Sequence, residues 1–405
     1  MNSLMVLKEA CVSTVRWQIL GILFLAIFAS MLGAGLVAPL LPVYAHGLGA
    51  TGLYIGFIFA AFSLSRTICL PLFGRLSDVK GRKPFITLGL LAYFMASIAY
   101  IISANVSSLI LIRVFQGTAA AMILPVARAY AGEITPKGKE GTVMGVFNVS
   151  LYGGLSVGPV IGGVFKDVFG IKAAFLSMGI VSLLGFLACL VFLPSRKEEK
   201  VRLGAHAPLR YRSLFSDRHI MGLFLFSLTH TMCVGTIWSF APLLADVELG
   251  LSSVEAGFII TFSVLMSALL MAPMGFVADR VNRRFLVVIG GLITASAMIF
   301  FYTGQEYWPL FVASIFVGVG GGIALPAIMA MGVVIGRAKD SMGSIMAILT
   351  MGHSLAMVLG PVLAGIIVDT LNIRLAFLGG AITMFLGTAG ALSLTSRLYA
   401  LGKRG

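Results

Sequence analysis

Apolar residues run along this chain in long, nearly unbroken stretches rather than in alternation or one-sided stripes. A helix needs about 20 apolar residues to cross a hydrocarbon core of about 30 Å. Windows of that kind fall near residues 17–41, 52–73, 85–104, 108–130, 141–165, 173–193, 219–244, 253–277, 286–303, 308–331, 341–367 and 375–396. Joined by short polar connections, these spans use up the chain. A membrane β-barrel would instead show weak alternations of about ten residues. The pattern predicts an all-α membrane protein of twelve transmembrane helices.

Composition sharpens this reading. Of 405 residues, 59% are hydrophobic and 11% charged, against about 45–50% and about 25% in a soluble domain. Mean hydropathy is +1.03. Lipid is the solvent that suits such a surface. The N-terminal stretch after Lys8 and Arg16 is too long for a signal-peptide core of about 7–15 residues, so it reads as the first membrane helix.

A net charge of +14 raises the question of nucleic acid. The distribution answers it. Lys and Arg cluster at 75–83, 137–139, 194–218, 280–284, 337–339 and 397–404, all on one side if the N-terminus is cytoplasmic, while Lys166, Lys172 and Arg374 fall on the other. This is the positive-inside bias, and it places both termini in the cytoplasm. No basic patch comes with stacking aromatics on a soluble face, so nucleic acid is not expected as a partner. Cys11, Cys69, Cys189 and Cys233 are scattered, which predicts neither a disulfide framework nor a metal site.

The charged connection at 194–218 divides the spans six and six. It predicts a first bundle over 1–193, a cytoplasmic linker held by basic residues on the anionic leaflet, and a second bundle over 219–405. The halves repeat each other. Gly74, Asp78, Arg82 and Lys83 recur 201 residues on as Gly275, Asp279, Arg283 and Arg284, and Leu124-Pro125 as Leu325-Pro326. Asp167, Ile171, Ala174 and Phe175 recur 202 residues on as Asp369, Ile373, Ala376 and Phe377. A parallel repeat of six-helix halves suits alternating access around a path near the bilayer midplane.

Between the second and third spans lies Gly74-Arg75-Leu76-Ser77-Asp78-Val79-Lys80-Gly81-Arg82-Lys83-Pro84. Glycine permits a tight turn. Asp78 can accept charge-assisted hydrogen bonds from Arg82 or from a helix N-terminus. Such a contact is a latch, held in one state and released in another.

This segment resembles the signature loop of the major facilitator superfamily, G-x-x-x-D-x-x-G-R-[RK]. Arg113-Val114-Phe115-Gln116-Gly117 resembles the family's R-x-x-Q-G element in the fourth helix. Gly145, Gly154, Gly158, Pro159, Gly162 and Gly163 are similar to the fifth-helix element of drug–proton antiporters. The resemblance covers essentially the whole chain. It implies the major facilitator fold, two pseudo-symmetric six-helix bundles, with the matched residues serving gating, coupling and packing. Physics supports part of this: glycines four apart share a helix face for close packing, and Pro159 bends the helix. The same stretch contains G-L-S-V-G, the hydrolase elbow pattern, but that elbow needs a strand-to-helix turn and this one lies within an apolar helix.

Single polar residues within the spans are the remaining candidates. Arg113 sits about 9 Å inside the fourth helix at 1.5 Å per residue. A charge at a helix centre costs about 2.5–3.5 kcal/mol, so such residues usually mark pathways; the alternative is snorkelling to the interface. Arg66 and Arg128 are open between snorkelling and structural pairing. Asn148 and Tyr152, four apart on the fifth helix, either line a cavity or bond a neighbouring helix. His230 with Trp238, and His353, are candidates for substrate or proton binding or for structural hydrogen bonds.

One expected element is missing. Proton-coupled relatives commonly carry an acid in the first or fourth helix, yet no Asp or Glu occurs between Glu9 and Asp78. Glu133 with Asp78, or else the two histidines, are left to carry protons. The chain therefore reads as a secondary transporter, a proton-coupled exporter of small amphipathic molecules. The alternative is a carrier of an organic anion or lipid-like substrate centred on Arg113. The expected setting is a cell (inner) membrane, as a monomer without cofactor.

Overall fold

The computed structural model describes residues 2–135, 140–194, 217–338 and 342–395, with side chains from residue 18 onward except those of 140–142, 337 and 342–343. Among the described residues there are twelve helices long and apolar enough to cross a membrane, and no strand. They are α1 (Asn2–Gly47), α2 (Gly52–Lys80), α3 (Arg82–Ile102), α4 (Val106–Ile134), α5 (Glu140–Phe169) and α6 (Ile171–Phe192). The second set comprises α7 (Arg218–Leu243), α8 (Ser253–Ala278), α9 (Arg283–Thr303), α10 (Tyr307–Ala338), α11 (Met342–Thr370) and α12 (Ile373–Leu394). A π-helical turn, Leu244–Glu248, extends α7.

Every predicted span is helical, but several helices outrun their apolar windows. The sequence places Gly74–Pro84 between helices; instead α2 continues to Lys80 and α3 starts at Arg82, so the connection is Gly81 alone. Backbone hydrogen bonding stays favourable beyond the bilayer, and hydropathy marks where lipid ends, not where a helix ends. Gly81 adopts φ 89°, a left-handed conformation that a side chain disfavours. Other ends are capped by side chains: Asn105 accepts from Ser108 N, Asn372 from Leu375 N, and Ser252 with Glu255 forms a capping box. Of the predicted linker 194–218, only Pro194, Asp217 and Arg218 are described, and Asp217 caps α7 by accepting from His219 N at 2.8 Å.

The chain forms two compact units. The first takes the chain up to Val37 and then from Leu64 through α6; the second takes Ala38–Ser63 together with α7–α12. In the first unit α5 packs on α1 through its glycines. A Cβ placed on Gly154 would lie 2.6 Å from the Phe28 carbonyl oxygen, one on Gly158 2.5 Å from that of Leu32, and one on Gly162 2.8 Å from that of Leu36. Three glycines four apart thus meet three carbonyls four apart. Gly163 is buried, whereas Gly145 is exposed with open space beside it. Pro159 meets α1 at Gly35.

In the second unit α7 packs against α11 and α12, and α10 against α8 and α9. The first turns of α2 belong here for a visible reason. The Asp369 carboxylate, near the end of α11, accepts from Gly52 N at 2.5 Å and Leu53 N at 2.8 Å. It satisfies amides that the first turn leaves open and sits at the positive end of the helix dipole. Gly52 and Gly56 then press on the Gly365 and Pro361 carbonyls, leaving no room for a Cβ. Large apolar side chains such as Ile68, Leu184, Phe192 and Leu386 point outward, as lipid-facing positions must.

Candidate functional site

The most connected polar group lies where α2 turns into α3. Arg82 is 8% exposed. Its Nη2 lies 2.5 Å from Asp78 Oδ1, one helical turn earlier, and 2.6 Å from Glu133 Oε1 near the end of α4. Nε donates to the same Glu133 oxygen at 3.1 Å, and Nη1 donates to Ser77 Oγ at 2.7 Å. Ser77 Oγ passes its own proton to the Gly74 carbonyl at 2.7 Å. Beside it, Lys83 Nζ donates to the Leu190 carbonyl of α6 at 2.7 Å. One guanidinium therefore ties α2, α3 and α4 together, and its neighbour reaches α6. The Gly81 turn makes this possible, because it brings the first residue of α3 back over the last turn of α2.

The second copy is looser. Arg283 Nη2 stands 3.6 Å from Asp279 Oδ1, with these side chains 30% and 72% exposed, and Arg283 Nε donates to the Ala278 carbonyl at 2.9 Å. Arg284, the counterpart of Lys83, has Nε and Nη2 buried without a hydrogen-bond partner among the described residues.

Within the first unit, Arg113 is 6% exposed and lies along its own helix, its Nη1 donating to Gln116 Oε1 at 3.0 Å. It does not snorkel outward. Tyr100 of α3 donates to the same Gln116 oxygen at 2.9 Å and stacks on Phe175 at 4.9 Å. With Oε1 receiving both bonds, Gln116 Nε2 is left buried without a hydrogen-bond partner among the described residues. Arg66 is half-buried and Arg128 exposed on the surface of this unit. Arg66 interacts electrostatically with Arg128 and Tyr93, and Arg128 with Tyr152. On α5, Asn148 is exposed and Tyr152 half-buried.

In the second unit His230 is 4% exposed, stacked on Phe226 with centroids 6.1 Å apart. Its Nε2 lies against Gly321 of α10 and has no hydrogen-bond partner among the described residues. His353 of α11 is exposed, with Nδ1 3.2 Å from Thr231 Oγ1, and interacts electrostatically with His230. Trp238 is half-buried, two turns further along α7. A groove of roughly 260 Å³ between α7, α11 and α12 holds Thr236 and Thr383 and no charged residue. At its rim Leu363 and Ile366 are exposed.

The sequence profile of the Major Facilitator Superfamily matches residues 23–252 and 223–401. The chain belongs to the Major Facilitator Superfamily. The family is one of transporters, not enzymes, and its fold is the one described above. Among curated relatives, an uncharacterised transporter of this superfamily from Methanocaldococcus jannaschii is 29% identical over 360 residues, covering 87% of this chain and 92% of the relative. Multidrug resistance protein 2 of Bacillus subtilis is 26% identical, with 90% and 92% covered. The quinolone resistance protein NorA of Staphylococcus aureus is 33% identical over 177 residues, 44% of this chain and 45% of NorA. Among solved structures, an inward-facing bacterial homologue of the human lysosomal transporter Spinster superposes with a TM-score of 0.80 at 15% identity, covering 94% and 97% of the two chains. The human organic anion transporter MFSD10 gives 0.64 at 18% identity, with 93% and 99% covered. These structural likenesses bear on the fold alone. Bacterial superfamily relatives and twelve apolar helices make this a multi-pass cell-membrane protein.

Against that background the sequence-derived candidates separate into groups. Asp78, Arg82 and Glu133 come together, as do Arg113 with Gln116, and His230 with His353. Sequence reasoning missed Ser77, Tyr100 and the cap by Asp369. Ser77 had a signal that went unused, since it lies one residue before the motif aspartate. Asp369 stood out as the repeat of Asp167, though nothing local pointed to the start of α2 as its partner; Tyr100 had no signal beyond being polar in an apolar span.

Proposed function

We propose that this superfamily member is a secondary active transporter that exports small amphipathic molecules, driven by the proton gradient, through alternating access of its two six-helix halves. The observation that carries the reading is the Arg82 knot. A buried cation shared by carboxylates of two helices, and seated on a one-residue turn, is a discrete contact that is either made or broken. Breaking it frees three helix ends at once. The repeat of the halves and the full-length likeness to multidrug resistance proteins support the same reading. The charge distribution supports an inner-membrane protein with both termini in the cytoplasm and the knot at the cytoplasmic face. The protein then works as a monomer with no cofactor, its energy source being protons.

Protons need a carrier. Asp78 and Glu133 are about one-third exposed and both bond Arg82, so protonating either loosens the knot. His230 and His353, which interact with each other in the second unit, are the other candidate proton carriers.

The test uses purified protein in liposomes enclosing a pH-sensitive dye, with an imposed proton gradient and a panel of lipophilic cations, neutral drugs and organic anions. Proton movement triggered by added compound supports coupled transport. Compound movement without proton movement replaces it with facilitated diffusion. Asp78→Ala should slow transport while leaving membrane insertion intact; an unchanged rate removes the latch role.

A further inference from the structure

Helix α2 begins in one compact unit and ends in the other. Its last turns carry Ser77 and Asp78, which bond Arg82, and the side chains that hold Arg82 all lie on α2 and α4 of the first six-helix half. Its first turn, about 40 Å away at 1.5 Å per residue, is held by α11 of the second half instead. The Asp369 carboxylate accepts from Gly52 N at 2.5 Å and Leu53 N at 2.8 Å. A Cβ on Gly52 would lie 2.7 Å from the Gly365 carbonyl oxygen, one on Gly56 2.6 Å from that of Pro361, and one on Gly365 would overlap the Gly52 carbonyl. Two backbones thus meet with no long side chain interlocked between them. Leu40, Leu41, Ile55 and Ile58, in the same stretch of chain, are buried, whereas Asp369 is exposed.

We propose that the contact of Asp369 with the start of α2 is the outer gate of the transporter, made while the path is open to the cytoplasm and broken when it opens outward. The proposal rests on the alternating-access reading above and on the charge distribution, which makes this the outer face. Helices α2 and α11 belong to opposite six-helix halves. The halves therefore cannot part at this face without separating Asp369 from Gly52 and Leu53. The chemistry suits a contact made and broken in every cycle. The carboxylate satisfies two amides that the first turn leaves open, at the positive end of the helix. Because the carboxylate is exposed at a helix end, water takes over both sides when they separate, and opening strands no buried charge or orphaned amide. Glycine backbones part without drawing a side chain out of a socket. Arg82 ties helix ends within one half; Asp369 ties one half to the other.

The experiment places spin labels at Thr51→Cys and Leu371→Cys, exposed positions beside the contact, in the full-length chain with its four native cysteines replaced by serine. Double electron-electron resonance in phosphatidylcholine nanodiscs reads the fraction of molecules with a long distance between labels. Asp369→Asn keeps the shape of the side chain and removes its charge. It should raise the ratio of open to closed outer faces about tenfold or more, the factor expected from a hydrogen bond to a charged group. Gly365→Ala, which disturbs the same contact by bulk, should shift the distances the same way. Asp369→Glu, which keeps the charge, should shift them less and guards against misfolding. An unchanged distribution in Asp369→Asn or in Gly365→Ala overturns the gate, and lost thermal stability without a shift makes Asp369 a helix cap alone. Proton-driven transport of tetraphenylphosphonium by the unlabelled protein, measured in parallel, separates the two ideas. If it proceeds while the distances do not respond, the export reading stands without the gate. If the distances respond while nothing is transported, the gate stands without the export reading.

Discussion

The two copies of the α2–α3 connection keep the motif's glycine, aspartate and arginine, and three of the differences around that arginine explain why one copy is tight and the other loose. Ser77 of the first copy corresponds to Ala278 of the second, Glu133 to Val334, and Gly81 to Asn282. Each change removes something physical. Ala278 offers no hydroxyl to the arginine, so Arg283 turns to the backbone carbonyl instead. Val334 offers no carboxylate, and Arg283 is left with Asp279 at 3.6 Å in a solvated setting. Asn282 takes an ordinary φ of −60° and caps α9 by accepting from Arg284 N, where Gly81 needs φ 89°. The motif's aspartate and arginine alone therefore do not make a buried, multiply bonded contact. The neighbours that bury and triangulate the arginine do.

The comparison breaks most readily at the arginines. Arg82→Ala should cost about 3–5 kcal/mol, the range for removing one partner of a buried ion pair, whereas Arg283→Ala should cost under about 1 kcal/mol, as exposed pairs do. Thermal unfolding of the detergent-solubilised protein reads the contrast, and equal costs for the two would erase the asymmetry. Glu133→Gln comes next, at about 1.5–3 kcal/mol for a hydrogen bond to a charged group. A double-mutant cycle with Arg82→Ala should show strong coupling, and additive effects would mean the contact contributes nothing. Gly81→Ala should lose about 1–2 kcal/mol through its left-handed backbone, while Asn282→Gly should lose only a few tenths, as a cap replaced by glycine does. One small effect is a gain: Val334→Glu with Ala278→Ser should rebuild the triangle around Arg283 and add at most a few tenths of a kcal/mol, as exposed pairs do. A cysteine cross-linking rate at the α8–α9 turn, unaltered by the graft, would show that the backbone there does not accept it.

Much of this was visible in the sequence, and the limits follow from distance along the chain. Hydropathy located all twelve helices because each must bury its own backbone polar groups in lipid. The Asp78–Arg82 contact was legible because residues four apart share a helix face. The Arg82–Glu133 contact spans 51 positions and the Asp369 cap more than 300, and no local periodicity reports either. The glycine stripe at 154, 158 and 162 was readable as a packing face, but not its partner on α1. Arg113 could not be assigned between inward and outward directions until Gln116, three residues on, was seen to receive it. The grouping of Ala38–Ser63 with the second unit was invisible for the same reason as the cap that accompanies it.

The order in which Arg82 meets its partners also bears on how the protein is made. Asp78 leaves the ribosome four residues before Arg82, so the guanidinium enters the membrane boundary already escorted by a counter-charge from its own hairpin. Glu133 is synthesised 51 residues later, a delay of some seconds at about 5–20 residues per second. Its arrival then draws the newly inserted α4 onto a hairpin that is waiting for it. The second hairpin has its escort in Asp279 but no carboxylate on the described residues of α10 to add to it. That helix must find its place by close backbone packing, as where Gly290 meets the Gly320 carbonyl. The close backbone fit is common to both halves, since Gly89 of α3 meets the Ala119 carbonyl of α4 as Gly290 meets that of Gly320; the first half adds a charge pair to it.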